Sequence, residues 1–212
     1  MINDMPQSGW IEVICGSMFS GKTEELIRRV KRATIAKQKV ILFKPQLDQR
    51  YDGKKIVSHD DNRLEAVSVA EPKDMISLSE GFDVIGIDEA QFFPPSIVSV
   101  CETLASQGKR VVVSGLDQDY LGKPFGSMPE LLAIAEYITK NLAICMACGS
   151  PANKSQRLSA TQEQVLLGGH DRYEARCRNC FRTQAQQRSP REEYTGLQHT
   201  NSVAIKTSTP RG

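Results

Sequence analysis

Residues 16–23, Gly16-Ser17-Met18-Phe19-Ser20-Gly21-Lys22-Thr23, match GxxxxGK[ST] at every fixed position. Such a loop works only between a strand and a helix, so the motif constrains the chain on both sides. WIEVIC at 10–15 reads as a strand, and Glu24 to Ala36 as a helix with Leu26, Ile27 and Val30 on one face. The glycines let the backbone wrap an anion and turn its N–H groups inward. Lys22 can then reach β- and γ-phosphates, and the Thr23 hydroxyl can ligate Mg²⁺. The plainer reading is a glycine turn before an ordinary helix; the satisfied context favours the phosphate cradle.

The next 120 residues repeat the alternation. KVILFK at 39–44, DVIGID at 83–88 and RVVVSG at 110–115 read as strands, and Ser96 to Gln107 as a helix that Gly108 can cap. Near-continuous apolar strands separated by helices predict an α/β fold with a parallel sheet covered on both faces. A phosphate loop also needs a carboxylate at the end of a neighbouring strand. Asp88 ends the run Val84-Ile85-Gly86-Ile87 and fits beside Mg²⁺. Glu89 follows at once. Strand alternation would send the two side chains to opposite faces, but at a strand's C-terminal end both can reach the ligand crevice. One carboxylate can then serve the metal while the other accepts a proton from a nucleophile. Alone, the pair would read as two solvated acids.

Cys145-Met146-Ala147-Cys148 and Cys177-Arg178-Asn179-Cys180 form CxxC…CxxC around residues 149–176. Four thiolates suit a tetrahedral, closed, structural Zn²⁺. A redox dithiol pair or a disulfide clip are the alternatives; neither explains why two pairs flank a segment too small to pack alone. Between them, Gln164-Val165-Leu166-Leu167-Gly168-Gly169-His170-Asp171-Arg172-Tyr173 is an apolar run ending in Gly-Gly. It reads equally as a lid tethered at both ends or as a plain hairpin.

With 212 residues, the chain has room for one domain and a remainder. The expected division is a leader at 1–9, a phosphate-loop α/β domain at 10–143, a zinc-ribbon domain at 144–182 and a disordered polar tail at 183–212. The net charge of +2 does not by itself imply nucleic-acid binding. No apolar run approaches the roughly 18 residues of a membrane helix, and MINDMPQSGW lacks the basic and apolar regions of a signal peptide. A cytoplasmic protein is expected.

GSMFSGKT, DEAQFF at 88–93, GLDQDYLGKPFG at 115–126, the paired CxxC units and GGHDRY at 168–173 together resemble the cytosolic-type thymidine kinase family, collinearly over about residues 10–182. The resemblance implies a RecA-like parallel sheet flanked by helices, with a zinc domain carrying a "lasso" over the nucleoside. It implies transfer of the γ-phosphoryl of ATP to the 5′-hydroxyl of thymidine, with Mg²⁺ at Thr23 and Asp88 and with Glu89 as base. Asp48, Gln49 and Arg50 would join the phosphate loop, Asp88, Glu89, Ala90 and Gln91 at the ATP site. Met18, Phe92, Leu116, Tyr120, Phe125 and Tyr173 would line the nucleoside pocket. Gln164, Val165, Leu166, Leu167 and Gly168 would form the lasso, whose backbone groups are expected to hydrogen-bond the pyrimidine. A homotetramer and feedback inhibition by thymidine triphosphate are also implied, with no membrane or nucleic-acid partner. The sequence departs from the family where Tyr120 replaces a frequent Phe, leaving a hydroxyl to be satisfied, and where Gln164 replaces a frequent apolar residue.

Three competing readings remain. DEAQ also resembles the strand motif of nucleic-acid-dependent ATPases, but 212 residues cannot hold two RecA-like domains plus a ribbon. A nucleotide-binding regulator without turnover sits poorly with intact Lys22, Thr23, Asp88 and Glu89. A nucleoside monophosphate kinase would use the zinc unit as lid, but the Asp-Glu pair suits a hydroxyl acceptor better.

Overall fold

The computed structural model describes residues 9–46, 55–57, 63–158 and 172–181. Six parallel strands form its central sheet among the described residues. They are β1 (Trp10–Gly16), β2 (Val40–Pro45), β5 (Val67–Val69), β6 (Val84–Ile87), β7 (Arg110–Leu116) and β8 (Tyr137–Asn141), in the order β5-β2-β6-β7-β1-β8. The short strands β3 (Lys55–Val57) and β4 (Arg63–Glu65) pair antiparallel outside it. Every sheet pair is parallel, including β1 with both β7 and β8.

Helices cover both faces, as the apolar runs require. On one face α1 (Lys22–Ile35) buries Leu26, Ile27, Val30 and Ala33 against Ile14, Leu42, Val84 and Val112. On the other lie α2 (Asp74–Leu78), α3 (Ser96–Ser106) and α4 (Met128–Ile134), which contribute Met75, Ile97, Val100, Leu104 and Leu131. Each fully buried aliphatic side chain contributes about 1.5–3 kcal/mol.

The four predicted strands and two predicted helices are all present, with ends shifted by one or two residues. The first helix begins at Lys22, so Lys22 and Thr23 are themselves its first turn. One expectation needs refining: β6, which delivers Asp88, is not adjacent to β1, because β7 lies between them. Elements without a long apolar run escaped the sequence reading. They are the three-residue β5, the short helices α2 and α4, and the edge strand β8, whose Tyr137 and Ile138 are exposed.

Glu12 ties one face together. Its carboxylate accepts from Arg29 Nη1 on α1 and from Arg110 Nε on β7, each at 2.6 Å, and Arg29 continues to Thr139 of β8 at 2.7 Å.

After the sheet the chain forms two small antiparallel pairs. These are β9 (Ala143–Ile144) with β10 (Pro151–Ala152), and β11 (Lys154–Arg157) with β12 (Tyr173–Arg176). Their shared core is Ala143, Cys145, Ala152, Ala175 and Cys177. Among the described residues this small core is built of alanines and cysteines, which bury little apolar area.

Candidate active site

The loop between β1 and α1 is shaped by two glycines at positive φ. Gly16 has φ 146°, and a Cβ there would lie 2.3 Å from the Asn141 carbonyl oxygen and 2.8 Å from Ser20 Oγ. Gly21, at φ 77°, opens the helix, and its carbonyl accepts from Asn141 Nδ2 at 3.2 Å. Phe19 adopts φ 62° without being glycine. A non-glycine residue there costs on the order of 1–3 kcal/mol. That conformation is accompanied by packing of Phe19 against the small Ala/Cys core. The four-cysteine unit therefore touches the phosphate loop directly. Ser17 Oγ donates to the Ala152 carbonyl at 3.4 Å, and the Met18 amide donates to Ser155 Oγ at 3.0 Å.

Lys22 Nζ donates to the Ser17 carbonyl at 2.8 Å, so its ammonium sits inside the loop. Enclosure lowers its pKa, opposed by the nearby charges of Glu89, Asp88 and Asp117. Thr23 Oγ1 donates to Asp88 Oδ2 at 3.2 Å. This joins the start of α1 to the end of β6 across β7. Asp88 is buried, and burial first, then the adjacent Glu89 charge, pushes its carboxyl up to about 7. A buried carboxylate beside a helix-start hydroxyl is a hard-oxygen donor set of the kind Mg²⁺ takes together with phosphate oxygens. Thr23 and Asp88 thus fit that ion.

Glu89 has φ 53° and ψ 41°. This left-handed residue breaks strand alternation just past β6 and starts the 3₁₀ turn Ala90–Phe92. Consecutive carboxylates can thereby serve one crevice, as the sequence anticipates. The Glu89 amide donates to Asp88 Oδ1 at 3.0 Å, and Gln91 Nε2 donates to Glu89 Oε2 at 2.6 Å. Gln91 is buried, and its Oε1 accepts from the Leu116 amide at the end of β7 at 2.9 Å. Gln91, expected at the ATP site, is engaged in orienting Glu89. Gly115 leaves room for this, since a Cβ there would lie 2.9 Å from Gln91 Oε1.

Beyond β7, residues 117–126 fold back on themselves. Asp119 Oδ1 accepts from the amides of Leu121 and Lys123 at 2.8 and 2.9 Å. This returns Phe125 to Phe92, where the rings meet edge to face at 5.6 Å and 87°. Leu116, whose amide engages Gln91, is buried nearby in sequence at the end of the same strand. The loop also carries Tyr120. The Arg157 guanidinium lies 3.6 Å from the centroid of that ring and donates twice to Tyr173 Oη, at 3.1 and 2.7 Å. The structure thus brings Tyr120 and Tyr173 together through a residue that the sequence reading missed. No motif flags Arg157; it stands in the polar run Lys154-Ser155-Gln156-Arg157. The expected site residues Asp48, Gln49 and Arg50, and Gln164, Val165, Leu166, Leu167 and Gly168, lie outside the described residues, as do residues 1–8 of the expected leader at 1–9 and the expected tail at 183–212.

Sγ atoms of Cys145, Cys148, Cys177 and Cys180 all lie within 4.8 Å of one another, and Cys148 and Cys177 are 3.6 Å apart. Tetrahedral Zn–S bonds of about 2.3 Å place sulfurs about 3.8 Å apart, so the cluster fits Zn²⁺. No disulfide joins the four, and the 3.6 Å between Cys148 and Cys177 Sγ is a non-bonded separation. Burial would raise the Cys145 thiol, but hydrogen bonds from the backbone of Cys177, Ala147 and Cys148 and from the Cys148 side chain together outweigh it and pull Cys145 down to about 6. Hydrogen bonding to Cys148 and Cys177 pushes Cys180 up to about 12. Sulfurs this close resist ionising together unless a cation sits among them.

A sequence model of the family described as thymidine kinase matches residues 9–181. The chain belongs to the thymidine kinase family. It is also 58% identical over 173 residues to a "Thymidine kinase" of Rhodothermus sp. (strain ITI 518), covering 82% of this chain and 81% of that protein. Membership spans both the phosphate-loop sheet and the four-cysteine unit, so the two parts belong to one family architecture. Among the described residues, no helix is long and apolar enough to cross a membrane.

Proposed function

We propose that the chain transfers the γ-phosphoryl group of ATP to the 5′-hydroxyl of thymidine, giving thymidine monophosphate. The observation that carries this reading is the left-handed turn at Glu89. It sets a carboxylate, held by Gln91, directly beside Asp88 and the phosphate loop in a chain of the thymidine kinase family. Phosphoryl transfer asks chiefly for positioning and charge stabilisation. Loop amides and Lys22 hold the phosphates. Glu89 orients the 5′-hydroxyl and takes its proton as the new P–O bond forms. Thr23 and Asp88 would hold Mg²⁺, which supplies charge neutralisation across the phosphates. Phe92, Phe125, Leu116 and Met18 offer the base an apolar wall. A thymine methyl contact gives only about 1–3 kcal/mol of discrimination, so hydrogen bonding must carry rejection of other bases.

The working division is residues 10–143 for the phosphate donor and 144–182 for the zinc-bound nucleoside loop. The family resemblance carries further expectations: a homotetramer, feedback inhibition by thymidine triphosphate and a cytoplasmic location.

The test is ATP-dependent product formation across a panel of nucleosides and nucleoside monophosphates. Thymidine should give the highest kcat/KM, with a 5′-monophosphate product. ATP hydrolysis stimulated by nucleic acid, without nucleoside phosphorylation, would sink the reading.

A further inference from the structure

Arg157 is 1% exposed and ranks first among the largest fully buried side chains of the described residues. It sits on β11, in the four-cysteine unit, whereas Tyr120 belongs to the loop that leaves the central sheet. Its guanidinium carbon lies 3.6 Å from the Tyr120 ring centroid and 5.3 Å from that of Tyr173. Nε and Nη2 both donate to Tyr173 Oη. A planar cation thus covers one ring and grips the hydroxyl of another, across the junction between the sheet and the four-cysteine unit.

Placing a guanidinium here is expensive unless its contacts return the desolvation cost. A structural role alone could be filled by an apolar side chain of similar volume. What an apolar residue cannot do is orient two tyrosines at once. Cation–π attraction fixes the plane of Tyr120, and the forked N–H donors fix the hydroxyl end of Tyr173. Lysine supplies a point charge without the plane or the fork.

We propose that Arg157 is a positioning residue for nucleoside binding, setting the Tyr120 and Tyr173 rings as two walls of the acceptor pocket. The inference rests on the thymidine reading above and extends it to a residue that does not itself touch the reacting atoms. The Tyr120 ring is held by its face, so Arg157 accommodates tyrosine or phenylalanine there.

The test uses full-length, zinc-loaded protein and separate equilibrium affinities for thymidine and a non-hydrolysable ATP analogue. Arg157→Lys should weaken thymidine binding about tenfold, leave ATP-analogue binding within about twofold and keep one zinc per chain. On a Tyr173→Phe background, which removes the acceptor hydroxyl, the same substitution should have a smaller effect. If Arg157→Lys is unstable, Tyr173→Phe alone should weaken thymidine binding severalfold with ATP binding kept. Unchanged thymidine affinity in Arg157→Lys, while Tyr120→Leu weakens it, overturns the inference but keeps the pocket. Unchanged affinity in both Tyr120→Leu and Tyr173→Leu removes the pocket reading itself. A fall in kcat at constant thymidine affinity places Arg157 in phosphoryl transfer and overturns the positioning role. Equal loss of both affinities together with zinc makes the residue structural and overturns it too.

Discussion

The backbone amide of Met18, inside the phosphate loop, donates to the hydroxyl of Ser155 on a strand of the four-cysteine unit, 137 residues away, at 3.0 Å. In loops of this kind, amides usually face the phosphates. Here one amide is held by the neighbouring unit, with Ser17 and Phe19 making companion contacts to it. The phosphate loop is therefore held partly by the four-cysteine part of the chain.

Metal removal tests that dependence. From the sequence, losing zinc should disturb thymidine binding through the lasso while the larger domain keeps ATP. The Met18–Ser155 contact adds a cost on the donor side. A hydrogen bond of this kind contributes about 0.5–1.5 kcal/mol. Cys148→Ser or strong chelation should thus weaken ATP-analogue binding about three- to tenfold, with a larger loss for thymidine. Far-ultraviolet circular dichroism should still report a folded sheet. ATP affinity untouched by complete zinc loss would show that the loop holds its shape unaided.

Glu89→Gln keeps the hydrogen-bonding shape and removes the base. Because Gln91 Nε2 donates to Glu89 at 2.6 Å, the neutral side chain retains an oxygen to accept that bond. Loss of general-base assistance typically costs about 10²–10⁴ in rate. kcat should fall by that factor, with thymidine affinity changed much less. Near-normal turnover would remove Glu89 from proton transfer.

Lys22→Ala removes the cation enclosed by the loop. The ammonium meets Ser17 within its own loop and lies near Glu89 and Asp88. Its loss should collapse phosphoryl transfer, while thermal unfolding changes little because no core residue is touched. Thymidine phosphorylation at an undiminished rate in the folded variant would take the phosphate loop out of the mechanism.

Legibility in the sequence followed signal length. Eight consecutive loop residues, near-continuous apolar strands and two CxxC pairs pointed to the fold class, to a glycine-shaped loop between β1 and α1 and to the clustering of the four cysteines. Leu26, Ile27 and Val30 marked the buried face of the first helix correctly. Single residues acting across long separations gave no such signal. Gln91 reaches Leu116 by spatial closeness, and Ser155 and Arg157 lie in a polar stretch whose composition suggests only surface. The insertion of β7 between β1 and β6 was also hidden, because strand order is set by how the crossovers pack rather than by any one strand.

Glu12 offers a stability test separable from chemistry. Burial favours its neutral form, but hydrogen bonds from Arg110 and Trp10, the Arg110 charge and a hydrogen bond from Arg29 outweigh burial and hold its carboxyl below 4.5. A carboxyl whose folded pKa lies below its unfolded value stabilises the native state above the unfolded value. That contribution is lost as pH falls through the folded one. Glu12→Gln should therefore lower stability most at neutral pH, leaving Arg29 and Arg110 without the negative charge they share. The loss should be on the order of 1–3 kcal/mol, less than for a fully buried pair because both arginines keep some exposure to water. As pH falls below 4.5, wild-type Glu12 takes up its proton and the two proteins should converge. Urea unfolding of both at neutral pH and at successively lower pH measures the gap. A gap that stays constant across that range would mean that the carboxylate's charge contributes nothing and that packing alone accounts for the loss.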